Sequence, residues 1–360
     1  MKKKIVIAIL CAAVSMGTIG CGNSTASAKT TQTDKKEDSK SENSEKSSEE
    51  KQSRDIFAMD TYMTVTAYGE HASEAVEKAE TEIKRLDGML STGNENSEVY
   101  KLNQNGEAVV SDDTAYLYER SEKIYKQTKG VFDISIYPVM DAWGFTTENY
   151  RIPAEDELSA LLKNVDASKI QYDKKTKKIT LPKNVKIDFG GIAKGYTSSR
   201  IMQIYKKCGV TSGLVSLGGN VQLLGAKPDG SAWKVAVESP DEDGNYLGIL
   251  QAKDKAVITS GGYERYFEKN GKKYHHIIDP STGYPAENGL TSVTIVSDDG
   301  TLADGLSTSL IMGKEKAEKF WKKYSDKFDV ILLTDDDQLY VSEGIADDFQ
   351  SDYKVNIMKK

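Results

Sequence analysis

From Gly22 to Arg54 the chain reads NSTASAKTTQTDKKEDSKSENSEKSSEEKQS between its two ends, with almost no side chain that can be buried. Such a stretch cannot bury enough apolar surface to offset the entropy of ordering it. Whatever core the protein has must therefore come from the residues that follow. Order is expected to begin near Ile56, and residues 21–54 are expected to be a disordered tether.

The residues ahead of the tether read as an export signal. MKKK is a positive start, and IVIAILCAAVSM is an apolar run too short to cross a bilayer comfortably. Small residues then lead to Cys21. The layout predicts a signal peptide over residues 1–20 and, as in a bacterial lipobox, a lipid on Cys21, although Thr18 stands where leucine is usual. An ordinary signal peptide with an incidental cysteine is the competing reading. Of the three cysteines only Cys208 would remain in the folded part, so no internal disulfide and no cysteine-rich zinc site is expected. The formal net charge of −7, with no basic stripe, argues against nucleic acid as a partner.

Residues 55–350 read as one α+β domain, with 351–360 as a tail. DIFAMDTYMTVTAYG alternates like a strand, and SEAVEKAETEIKRLDGML has helical spacing. TAYLYERSEKIYKQTKG and a segment from about Ile192 to Lys207 also read as helices. NVKIDF, GLVSLGGNVQLLGAK, WKVAVESP, LGILQAKDKAVITSGGYERYF and GLTSVTIVSDDG read as strands with glycine-rich turns. A single helix is expected over residues 302–324, followed by the strands of VILLTDDDQLYVSEG. Strands and helices do not alternate regularly and no repeat period appears, which favours an α+β arrangement over a doubly wound one.

Four stretches can carry chemistry. In DFGGIAKGY, Asp188 ends a strand-like run and Lys194 sits in the first turn of a helix, where free N–H groups and the dipole favour an anion. A capping aspartate after a tight turn is the plain alternative. In YHHIIDPSTGYP, adjacent His275 and His276 point to opposite faces of a strand, so at most one enters a given site, and a surface turn with incidental histidines is the plain alternative. In LADGLSTSL, Asp304 and Thr308 share a helix face beside Ser307, a hard-oxygen set suited to Mg²⁺. The alternative is a carboxylate on the helix dipole with Thr308 bonded back to a carbonyl. In GVFDISIYPVMDAWGF, Phe132, Asp133 and Trp143 form core or a slot for a flat ring, and Pro138 points to a strand edge or an irregular segment.

Taken in order, AMDTYMTV, LST, FDIS with WGF, DFGGIAKGY, SLGGNV, TSGGYERYF, HHIIDPSTGYP and ADGLSTSL resemble the ApbE-type FAD:protein FMN transferases over about residues 57–340. The resemblance implies a T-fold-like α+β catalytic domain that takes FAD as substrate with Mg²⁺. It would transfer FMN to a Thr or Ser hydroxyl of an acceptor protein carrying an FMN-binding domain, with release of AMP. It implies FAD contacts at Met59, Val131, Phe132, Asp133, Asp188, Lys194 and Ile278. Metal ligands are implied at Gly191, Asp304, Ser307 and Thr308, and His276 or Asp304 would take the hydroxyl proton. Two positions depart from relatives: Gly93 stands where a tyrosine can follow LST, and Ser307 where some carry aspartate. FAD hydrolysis to FMN and AMP, and non-catalytic flavin binding, are the alternatives. A lipidated Cys21 would hold the domain to the bilayer on the exported face of the cell membrane.

Overall fold

Alternation along the strands decides the architecture. In Ala256–Gly261, Ala256 and Ile258 face one hydrophobic cluster while Val257 faces another. Leu290–Ser297 repeats this with Val293 and Ile295 against Val296, and Phe328–Thr334 with Val330 and Leu332 against Ile331 and Leu333. Strands apolar on both faces lie in the middle of a sheet covered on both sides. The computed structural model describes residues 50–240, 245–311 and 313–360. The expected signal peptide, Cys21 and the tether up to residue 49 lie outside them.

Among the described residues one sheet has nine strands that follow each other in chain order. They are β1 (Lys51–Ala58), β2 (Thr61–Tyr68), β3 (Ser212–Leu217), β4 (Asn220–Leu224), β5 (Ala256–Gly261), β6 (Leu290–Ser297), β7 (Phe328–Thr334), β8 (Leu339–Ser342) and β9 (Val355–Met358). Neighbours pair antiparallel except β8 and β9, which run parallel. Four helices lie on one face: α1 (Ala72–Leu90) on β1 and β2, α2 (Ala193–Lys207) on β3 and β4, α3 (Gly300–Leu310) on β5 and β6, and α4 (Lys314–Tyr324) on β7. The other face is covered in part by a smaller sheet built from Trp233–Glu238, Tyr246–Ala252 and Phe349–Gln350. This is an α+β fold.

α1 buries Ala72, Ala75, Val76, Ala79, Ile83, Leu86 and Leu90, a stripe at helical spacing. A satellite cluster of Val139, Trp143, Phe145, Leu158 and Ile278 packs apart from the main core.

Several boundaries differ from the expectation. β1 begins at Lys51, inside the stretch read as tether, because an edge strand needs backbone partners and not buried side chains: Lys51 to Arg54 pair with Tyr68 to Val65 while remaining largely exposed. The residues read as a C-terminal tail include β9, whose Met358 is buried in the core. The expected helix over 302–324 is two helices, broken at Gly313, which takes φ 112°. Pro138 opens the helix Tyr137–Trp143, where a missing N–H costs nothing, and does not mark a strand edge. The NVKIDF run forms no ladder. Asn103 pairs with the backbone of Ile187 through two 2.8 Å hydrogen bonds and takes the place of a neighbouring strand.

Candidate active site

The site forms where two helices cross without side chains between them. A Cβ at Gly195 would lie 2.1 Å from the carbonyl oxygen of Gly300 and 2.5 Å from Cβ of Asp304. A Cβ at Gly300 would likewise lie 2.4 Å from Gln222 Oε1 and 2.9 Å from the carbonyl oxygen of Gly195. Only hydrogen fits at these positions, and their contact brings the start of α2 against α3. Asp304 Oδ2 then accepts the Gly195 N–H at 2.8 Å, in the first turn of α2 where N–H groups have no partner within the helix. Its Oδ1 accepts from Asn220 Nδ2 at 3.0 Å. The carboxylate is only 4% exposed. Burial pushes it above the usual carboxylate range, against the pull of the Lys194 charge and these two donors.

One turn along α3, Thr308 is half-exposed and donates to the Asp304 carbonyl at 3.4 Å. A Cβ on Gly191 would be 3.8 Å from Thr308 Oγ1 and 3.2 Å from the Phe132 ring. The bare Gly191 backbone and the Thr308 hydroxyl thus share one corner, floored by Phe132. Ser307 is fully buried; it donates to the Asp304 carbonyl at 2.9 Å and shares a 2.8 Å hydrogen bond with Ser260. Its hydroxyl braces the cluster. Among the described residues no three His, Cys, Asp or Glu side chains come together as a metal cage. One carboxylate, a threonine hydroxyl and an approachable backbone make an oxygen-only set, which fits Mg²⁺ sharing its shell with substrate phosphate and water.

Asp188 accepts from the Gly190 N–H at 2.9 Å. Burial raises its pKa, while N–H donors and the Arg265 charge oppose the rise. Lys194 is half-buried and makes no ion pair among the described residues, although Asp304 and Glu264 both feel its charge. His276 Nδ1 lies 3.1 Å from the Arg265 carbonyl, so Nδ1 carries the proton and Nε2 keeps its lone pair. Burial, with help from the Lys194 and Arg265 charges, drives this imidazole down to about 3. Its neighbour His275 faces the other way and bonds the Ala286 carbonyl at 3.1 Å.

The remaining expected contacts divide. Met59 sits in the two-residue turn joining β1 to β2, with φ 48°, its N–H on Asp87 at 2.9 Å. Its sulfur receives the Thr197 hydroxyl at 3.8 Å, which places Met59 beside α2. Val131 is half-exposed in the loop before Phe132. Asp133 is turned inward: its carboxylate accepts from Ser135 N–H at 2.8 Å, from the Ser135 hydroxyl at 2.5 Å and from Ala167 N–H at 3.2 Å. Ile278 is packed in the satellite cluster with Trp143. Gly93 stands in open space, with only Ser91 Oγ as near as 4.0 Å to a Cβ placed there.

Asn220, Ser260 and Arg265 are among the residues of the site that carried no assignment from sequence, as are Gly195 and Gly300. A signal existed for the first. In β4 both Asn220 and Gln222 are polar residues at buried positions of an otherwise apolar strand.

Comparison with known proteins gives one consistent family. Residues 59–332 match the model of the ApbE family. The "FAD:protein FMN transferase" of Haemophilus influenzae is 30% identical over 284 residues, covering 76% of this chain and 81% of that protein. The protein of the same name from Treponema pallidum is 30% identical over 293 residues, covering 76% and 80%. The crystal structure of an ApbE protein from Thermotoga maritima superposes with a TM-score of 0.79 at 31% identity, over 84% of this chain and 100% of that one. The flavin transferase ApbE of Vibrio cholerae gives a TM-score of 0.74 at 25% identity, over 82% and 98%. With the motifs in order, the fold shared and the family's span covering most of the folded part, this chain belongs to the ApbE family.

Proposed function

We propose that this protein transfers the FMN half of FAD to a Thr or Ser hydroxyl of an acceptor protein and releases AMP. The observation that carries the reading is the oxygen cluster of Asp304, Thr308 and Gly191 beside Lys194, a half-buried cation with no carboxylate at ion-pair distance among the described residues. The name shared by the relatives, FAD:protein FMN transferase, supports the same chemistry. Asp304, Thr308 and the Gly191 carbonyl would hold Mg²⁺, which when bound supplies neutralisation of phosphate charge.

The other steps belong to the chain's own groups. Lys194 draws the phosphates to the start of α2, and Phe132 and Met59 give apolar contact alongside. His276 presents an unprotonated Nε2 that accepts the acceptor's hydroxyl proton. The hydroxyl oxygen bonds to the FMN phosphorus, and the bond from that phosphorus to the bridging oxygen breaks. AMP leaves with that oxygen. Catalysis of this kind is mostly positioning and charge neutralisation. A lipid on Cys21 and the polar tether would hold the domain at the exported face of the membrane, within reach of acceptors there.

The test is intact-mass analysis of an FMN-binding acceptor domain after incubation with the protein, FAD and Mg²⁺. An FMN-sized addition with equal AMP is expected, abolished by EDTA and by Asp304→Ala. A folded Asp304→Ala protein with full activity would remove the metal assignment. AMP with free FMN and no labelled acceptor would indicate hydrolysis.

A further inference from the structure

Arginine pairing sets one residue apart. Arg54 meets Glu80, Arg85 meets Glu82 and Asp113 at 2.8 Å, and Arg120 meets Asp299 at 2.7 Å. Arg151 meets Glu157 at 2.5 Å, and Arg200 meets Glu82 at 3.1 Å. Arg265, half-buried, has no carboxylate at ion-pair distance among the described residues. Among the described residues its guanidinium hydrogen-bonds the carbonyl of Phe145 and no carboxylate. A guanidinium has five N–H donors, and leaving most of them unmatched in a partly buried place is costly unless an anion or water completes them.

The location narrows the choice of anion. The Arg265 carbonyl accepts from both the backbone N–H and Nδ1 of His276, each at 3.1 Å, so this residue is built into the same turn as the imidazole. The guanidinium charge reaches Asp188 and His276, and the Lys194 charge reaches His276 as well. Lys194 and Arg265, two half-buried cations with no carboxylate at ion-pair distance among the described residues, thus both act on His276, and Lys194 directly precedes the Gly195 whose N–H meets Asp304.

We propose that Arg265 is a second phosphate-binding cation, which together with Lys194 grips the pyrophosphate of the substrate. The proposal rests on the reading of this site as one that cleaves FAD. A phosphate that leaves when its anhydride bond breaks gains negative charge, and a planar fork of N–H donors suits that charge better than a point cation does.

The test uses the full-length protein in Mg²⁺ buffer with two probes: inorganic pyrophosphate, followed by calorimetry, and riboflavin, followed by fluorescence quenching. Arg265→Gln, which keeps a donor for Phe145, is expected to weaken pyrophosphate on the order of tenfold and leave riboflavin unchanged. Arg265→Lys is expected to recover part of the loss. Unchanged pyrophosphate affinity in folded Arg265→Gln overturns the proposal, as does an equal loss for both probes, which would mark a structural role. A wild-type protein that binds neither probe overturns the FAD reading itself, and this proposal with it.

Discussion

At the scale of single residues, the site depends on side chains that hold other side chains. Asn220 fixes one oxygen of Asp304 from a position only 2% exposed. Asn220→Ala leaves that buried oxygen without its donor and is expected to cost ~1–3 kcal/mol of stability. It should also weaken the proposed Mg²⁺ binding, and denaturant unfolding with a metal titration checks both. His276 gives a pH prediction. Its folded pKa of about 3 lies below the ordinary histidine value, so between the two the unfolded chain binds a proton that the folded protein does not. Stability linked to His276 is complete above ~pH 6.5 and falls as the pH drops toward about 3. Its imidazole should stay neutral down to ~pH 5, which an NMR titration of the ring protons reads directly. Alternation alone did not tell which histidine of the pair enters a site; His276 was named only through the family resemblance. Alternation says that they part, and only the positions of the Arg265 and Ala286 carbonyls say which way.

At the scale of elements, the decisive event is the crossing of α2 and α3. Gly195→Ala places a methyl group 2.1 Å from the Gly300 oxygen, so the helices must separate. A loss of ~1–3 kcal/mol is expected from overpacking, with Asp304 drawn off the Gly195 N–H. Thermal unfolding and Mg²⁺ affinity should fall together; a variant that loses stability but keeps metal affinity would show that the crossing does not set the carboxylate. The sequence made the elements themselves readable, since α1 is a clean apolar stripe and β5, β6 and β7 are short apolar runs. It misled where a local rule had a second solution. Pro138 suits a helix start as well as a strand edge, and the NVKIDF run has a strand's pattern but finds an asparagine side chain in place of a neighbouring strand.

At the scale of the whole molecule, nine strands in chain order put the ends of the folded part at opposite edges, with β1 at one and β9 at the other. Truncation after Asp352 removes β9 and the buried Met358, and is expected to cost at least ~2 kcal/mol. A melting temperature unchanged by that truncation would show that the last strand is dispensable. Composition and periodicity alone determined that the hydrophobic core comes from residues after the polar stretch, that the domain mixes helices with a sheet, and that an oxygen-rich helix face and a lysine at a helix start are present. These are local properties, because burial capacity and period are carried by neighbouring residues. Only the tertiary structure decided that Gly195 and Asn220 hold Asp304 while Gly191 and Ser260 meet Thr308 and Ser307, that Asp133 and Ile278 are buried, and that Arg265 has no carboxylate at ion-pair distance among the described residues. Those outcomes depend on which of several chemically equivalent groups the packing of distant elements brings together, and no local pattern encodes that distance.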